Sequence, residues 1–299
     1  MTLAASALTV HYYSLVHNDR YAQPTLSHSR AGSGAQPGPL AYETAPVTFP
    51  LDSQSAVPSP QPTGGVSSAA PAPPPVASGG PSGAAMPVGN LPGWTQVYAQ
   101  DFNSNSLPTR WGWYSGTPGG YSPNVANWTP SMCSISGGEV HFMARGINSC
   151  GLESSVNRQT YGMYLVRMKG DSEPSSMQFS DIALLWPASN SWTAEIDFYE
   201  DTGGSRSQYN ASMFACPNGT CPHQVRGIGN DGAQWHTYGV AWTPTKVTYS
   251  VDGRTVASFN ASPAVPMELK LQSQNLGGSV PSTEIETMTV DWVVEYSYG

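Results

Sequence analysis

From Trp94 to Gly299 no stretch keeps a 3.6-residue apolar period, and strict alternation recurs instead. In "KVTYSVDGRTVASF" Val247, Tyr249 and Val251 alternate, Asp252-Gly253 supplies a turn, and Val256 and Phe259 resume, which predicts a hairpin. "MELKLQSQNLGG" puts Met267, Leu269 and Leu271 on one face and Lys270, Gln272 and Gln274 on the other. "TMTVDWVVEYSY" reads as a strand with Val290, Trp292, Val294 and Tyr296 sharing a face. Many short strands with turns and no helices between them predict an all-β, two-sheet antiparallel sandwich, of jelly-roll or concanavalin A-like form, over residues 94–299.

The chain upstream has another character. Hydrophobic residues are only 39% of the total while Gly and Pro number 31 and 27, so part of the chain should stay outside a core. Residues 53–93 contain no charge and are dominated by Pro, Ala, Ser and Gly. Such a segment has too little apolar surface to offset its ordering entropy and reads as a semi-extended linker. Residues 1–52 are polar and aperiodic.

A net charge of -8 disfavours nucleic acid and anionic lipid as partners, and no apolar run reaches membrane-spanning length. Four cysteines with no Cys-x-x-Cys pair argue against zinc. Cys133 with Cys150 and Cys216 with Cys221 is the simplest disulfide pairing, each closing a local loop. The even count and the Pro-rich tail predict an extracellular or cell-wall-associated monomer. The first twenty residues lack the basic n-region of a signal peptide.

"SWTAEIDFYED", residues 191–201, concentrates carboxylates in a chain that is only 11% charged. Glu195 and Asp197 share a strand face, with Ile196 and Phe198 pointing to the core. Glu200 has the opposite parity unless a β-bulge at Phe198–Tyr199 inserts one residue. With that bulge three carboxylates line one surface, too close to ionise freely together. Glycoside hydrolysis uses such a set, one carboxylate as nucleophile and one acid as proton donor. An aggregation-blocking edge strand carries scattered charges instead, and calcium loops are rich in Gly and Asn rather than Ile, Phe and Tyr. The spacing favours catalysis over both.

"EIDFYE" resembles the signature of glycoside hydrolase family 16 in its laminarinase-like form. "VYAQDFNSNSLPTRWGWYSGTPGG", "YGMYLVRMK", "ALLWP", "WHTYGVAWTPTKVTYSVDG" and "VDWVVEY" are similar, in order, to other stretches of that family. The resemblance implies a jelly roll with a polysaccharide-binding sheet, Glu195 as nucleophile, Asp197 as assisting carboxylate and Glu200 as general acid/base. It also implies retaining cleavage of internal β-1,3 or mixed-linkage glucan bonds. It calls for no cofactor in catalysis, and would place a structural calcium at Asp101 and Asp291. Leu165 stands where the family commonly has Glu. "NASMFAC" offers Met213 and Phe214 where many members have His. Trp186 is one position later than usual, which would turn it to the other face of its strand.

Sugar rings stack on flat aromatics. Trp192, next to the acids, is the first candidate platform, then Trp128 and Trp113 in Gly- and Pro-rich loops; Trp242 and Trp292 read as core. Gln272, Gln274 and His236 are candidate hydrogen-bonding groups for sugar hydroxyls. Two other classes fit the same sandwich: a non-catalytic glycan-binding lectin, and a surface-attachment protein in which the tail is the functional part. An intact set of mutually repelling acids argues against the lectin.

Overall fold

The computed structural model describes residues 49–50, 79–116, 127–171, 179–191, 193–201, 206–215, 223–275 and 280–299. Trp192, Cys216 and Cys221, and with them the second expected disulfide, lie outside these. In chain order the strands begin with β1 (Trp94–Gln100), β2 (Trp111–Trp113), β3 (Asn127–Trp128), β4 (Cys133–Ser136) and β5 (Glu139–Arg145). They continue with β6 (Asn148–Gln159), β7 (Gly162–Gly170), β8 (Phe179–Pro187), β9 (Ala194–Glu200), β10 (Gln208–Ala215) and β11 (His223–Gly229). The last are β12 (His236–Trp242), β13 (Val247–Val251), β14 (Arg254–Phe259), β15 (Met267–Asn275) and β16 (Ile285–Tyr298). Among the described residues the helical content is a single turn at Pro130–Met132.

Two antiparallel layers result. One runs β14-β13-β12-β7-β16-β5, with β4 beside β5 and β1 beside the second half of β16. The other runs β11-β10-β9-β8-β15-β6, with β2 also on β6. The chain passes between layers where Arg145 pairs with Asn148. The β13–β14 hairpin turns through Asp252 and Gly253 at φ 50 and 77, the left-handed conformation a two-residue turn requires.

Strand burial reports what covers each face. β5 alternates buried and partly exposed residues, whereas β9 and β15 are buried throughout. Their inner face packs in the core with Ile196, Phe198, Leu269 and Leu271, joined by Phe142, Val166, Tyr238 and Trp242 from the other layer. At 25 cal/mol per Å² of apolar surface, such burial is the main stabilising term. Trp242 finds acceptors for its indole N–H at Ser262 Oγ (2.9 Å) and Pro263 O (3.0 Å).

Two expectations change. The register of β16 against β7 shifts at Asp291, so Val290 faces the core while Trp292, Val294 and Tyr296 face outward. Trp292 is buried there because residues 79–93, read from sequence as linker, lie on that outer face. Phe49, Met86 and Leu91 pack with Trp94, Met163, Leu165, Trp292 and Val294, and Ala84 O accepts the Trp292 indole N–H at 3.2 Å. The outer face of this layer is apolar, and it needs that cover. Cys133 and Cys150 form the expected disulfide, joining β4 and β6 across a sequence separation of 17.

Candidate active site

β9 carries the bulge that its parity demanded. Against β10, Asp197 faces Ser212 and Glu200 faces Asn210, so three steps on β9 match two on β10. Against β8, Tyr199 pairs with Ala183 and Asp197 with Leu184, so the extra residue is Phe198. Phe198 and Tyr199 both join the core, and Glu195, Asp197 and Glu200 share the opposite face. All three carboxylates are at least nine-tenths buried. Ser212 Oγ donates to Asp197 Oδ2 at 2.5 Å, and the serine is itself placed by Tyr249 OH donating to its carbonyl at 2.8 Å.

The pairings of neighbouring strands extend this face. β8 contributes Ile182 opposite Glu200 and Leu184 opposite Asp197, and the same parity puts Trp186 on the acid face toward Glu195. β15 contributes Gln272, Lys270 and Glu268 opposite these three. Trp186 is thus partly exposed and on the acid side. Lys270 Nζ lies 3.2 Å from Glu153 Oε2 and 3.6 Å from Glu268 Oε1, and Arg158 Nε reaches Glu268 Oε2 at 2.8 Å. The ammonium sits 5.4 Å from the Tyr114 ring and 5.9 Å from the Trp186 ring. Tyr114 lies flat over Gly151, where any side chain would overlap its ring.

The other sequence candidates fall in different places. Trp128 is buried edge-on against Tyr114, with ring centroids 5.0 Å apart, so it supports that ring from beneath. Trp113 pairs with Leu152 and packs against the core, away from the acids. Gln272 stands on the acid face, and Gln274 shares its parity but is fully buried. His236 belongs to the other layer, where its Nδ1 lies 2.7 Å from Asp252 Oδ2. That hydrogen bond raises the imidazole pKa and holds the ring as an ion-pair partner rather than a cleft donor.

Asp101 and Asp291, the expected calcium pair, are close enough for their charges to interact, and each accepts hydrogen bonds from its own neighbours. Asp291 Oδ2 accepts the Ser82 N–H at 3.0 Å, and Asp101 accepts both the backbone and side-chain N–H of Asn103, at 3.2 and 2.7 Å. Burial raises the Asp291 pKa against the hydrogen bonds from Ser82, with the Asp101 carboxylate adding to the rise. The sequence reading assigned no role to Tyr114, Trp186, Lys270 or Ser212. Each has an unremarkable local pattern, and only strand pairing brings them to the acids.

The profile of glycosyl hydrolases family 16 matches residues 122–294, more than half of the chain. The chain belongs to glycosyl hydrolase family 16. It is a glycoside hydrolase. A search of curated proteins finds no match. Among solved structures, the catalytic domain of an endo-1,3-beta-glucanase (laminarinase) from Thermotoga petrophila RKU-1 is 16% identical, with a TM-score of 0.58, over 69% of this chain and 98% of that one. A prokaryotic beta-1,3-1,4-glucanase (lichenase) from a mouse hindgut metagenome is 19% identical, with a TM-score of 0.56, over 68% and 99%. A structure from work on endo-acting O-glycanases of the human gut microbiota that initiate mucin breakdown is 17% identical, with a TM-score of 0.56, over 71% and 94%. At these identities the likeness is one of fold.

Proposed function

We propose that this family 16 hydrolase is a retaining endo-β-glucanase acting on internal bonds of a β-1,3- or mixed-linkage glucan. The observation that carries this reading is the β9 bulge, which gathers Glu195, Asp197 and Glu200 on one face. The α-carbons of Glu195 and Glu200 are four β10 positions apart, or about 13 Å at the rise of a strand. A retaining pair needs its carboxyl groups roughly 5–5.5 Å apart, a separation that two glutamate side chains can reach from that spacing by leaning toward each other over Asp197.

In the first step the Glu195 carboxylate attacks the anomeric carbon while Glu200 gives its proton to the departing glycosidic oxygen. In the second, Glu200 takes a proton from water, the hydroxide oxygen bonds to the anomeric carbon, and the Glu195 ester bond breaks. Asp197, fixed by Ser212, orients Glu195 between these steps. Trp186 and Tyr114 offer ring faces for sugars, and Gln272 and Lys270 offer donors to their hydroxyls. The laminarinase and lichenase likenesses support a glucan, and the Cys133–Cys150 bridge supports work outside the cell.

Laminarin, lichenan, agarose and mucin O-glycans are the panel to test, with the first-formed anomer followed by proton NMR. A β-anomer released from laminarin or lichenan before mutarotation is the expected result. An α-anomer formed first would overturn retention. Binding to these glycans with no release of reducing ends would favour the lectin instead.

A further inference from the structure

Behind Glu200 lies the most heavily charged buried cluster among the described residues. Arg206, about 2% exposed, reaches four carboxylates. Its Nη1 is 2.7 Å from Asp181 Oδ2 and 2.8 Å from Asp201 Oδ2, and its Nη2 is 2.7 Å from Glu286 Oε1 and 3.2 Å from Asp171 Oδ1. Glu286 and Asp171 belong to the β16 and β7 side, Asp181 and Asp201 to the β8 and β9 side. One guanidinium therefore ties both layers at the end of the strand that holds the acids. Three of these carboxylates stand within 4.8 Å of one another, a spacing suited to a cation, and the guanidinium fills that role.

The surroundings are shaped for this side chain. The guanidinium lies against Gly170, where a Cβ would overlap it. Arg206 itself takes φ 53, a left-handed conformation that a non-glycine residue adopts only when its contacts hold it there. The Gly232 N–H, donating to Arg206 O at 3.0 Å, is one of those contacts.

We propose that Arg206, Asp201 and Tyr199 form the positioning device for Glu200, clamping the residues on both sides of it past the bulge. This rests on the assignment of Glu200 as acid/base made above. A bulge interrupts the ladder that would otherwise orient the strand, and here Phe198 and Tyr199 face the core in succession. The ladder resumes at Tyr199 and Glu200, against Ala183, Ile182 and Asn210, and side-chain links hold the chain beyond it. Tyr199 OH donates to Asp201 Oδ2 at 2.7 Å, across the back of Glu200. Asp201 is held in turn by Arg206, by the Asp181 N–H on its Oδ1 at 3.0 Å, and through its own N–H to Asp181 O at 3.2 Å. The Tyr199 ring stacks on Tyr209 with centroids 4.9 Å apart. With both neighbours anchored on the core side, the Glu200 side chain has only the acid face open to it.

Tyr199→Phe removes the hydroxyl link and leaves the ring packing, and Arg206→Lys keeps the charge but loses the planar fork. Each is assayed on laminarin, whose leaving group needs a proton, and on a dinitrophenyl β-laminaribioside, whose leaving group does not. A misplaced acid should lower kcat/KM on laminarin about tenfold or more. On the aryl glycoside, kcat/KM should stay within about twofold of wild type. Equal losses on both substrates, or no loss on laminarin, would overturn the positioning role. If Arg206→Lys does not fold, Tyr199→Phe decides the question alone. Glu200→Ala is run alongside: full activity of that variant on laminarin would overturn the acid/base assignment itself, a failure distinct from that of the clamp.

Discussion

Replacing Glu295 by Gln should make the protein more stable at neutral pH and above while changing little below pH 4.5. Glu295 projects from β16 toward the core, 1% exposed, with Asn157 Nδ2 donating to one carboxylate oxygen at 3.0 Å and Ser154 Oγ to the other at 3.4 Å. Burial, against the pull of these two donors, lifts its pKa from 4.5 to about 7. A raised carboxyl pKa means that the folded state binds the proton more tightly than the unfolded chain does. The stabilisation is whole below 4.5 and is lost as pH rises through 7, a total of about 3 kcal/mol. Gln mimics the neutral acid and has no proton to lose. For a domain of this size, about 2–4 °C of Tm per kcal/mol turns the full difference into roughly 6–12 °C. Scanning calorimetry of both proteins from acid to alkaline pH should show nearly equal Tm below the unfolded-state value, an advantage for Glu295→Gln that widens as pH rises toward 7, and a plateau above it. Asp171, Asp181, Asp291 and His236 also have raised pKa values and slope in the same sense, but they are common to both proteins and cancel in the difference. Parallel Tm profiles, or a less stable variant at pH 9, would refute the reasoning.

Three further outcomes are expected. A chain starting at Gly79 should lose, among the described contacts, the burial of Phe49, about 1.5–3 kcal/mol by thermal unfolding. One starting at Trp94 should lose more, since it also uncovers Trp292 and Met163 from Met86 and Leu91; equal Tm for the two chains would count against the packed strap. Cys133→Ser should cost about 3 kcal/mol, the entropy released by opening a loop of 17 residues, and a Tm equal to wild type would contradict it. Trp186→Ala should raise KM on laminarin several-fold and leave Tm within a few degrees, because the ring is partly exposed beside Lys270; unchanged KM would remove it from the sugar-binding face.

The acid face was legible because its chemistry and its parity conflict. Glu195, Asp197 and Glu200 can share a surface only if β9 is bulged, so the sequence carried the irregularity as well as the residues. The bulge at Asp291 left no such trace. Val290, Trp292, Val294 and Tyr296 alternate alike whether the strand is regular or not, and both faces are apolar because the 79–93 segment covers the outer one. That segment looked like linker on composition alone, yet Ala84, Met86 and Leu91 give it enough apolar contact to dock. Trp113 sits on a strand of three residues, too short for periodicity to choose a face. The ion pairs of Arg206 and Lys270 left no trace for another reason: partners such as Glu286 and Glu153 are distant in sequence, and charge pairing across a sheet has no local pattern. His236 was misread because its partner, Asp252, was already explained as a turn residue.

The division of labour between Glu195 and Glu200 is tested most directly by azide. Each is replaced by Ala and assayed on a dinitrophenyl β-laminaribioside with azide added. With Glu200→Ala the glycosyl-enzyme still forms, because this leaving group needs no proton, and azide should release it as the β-glycosyl azide. With Glu195→Ala no covalent intermediate can form, so azide should enter directly and give the α-glycosyl azide, while hydrolysis of laminarin is abolished. The opposite pairing of products would exchange the two roles. Full hydrolysis of laminarin by either variant would show that these carboxylates are not the reacting pair.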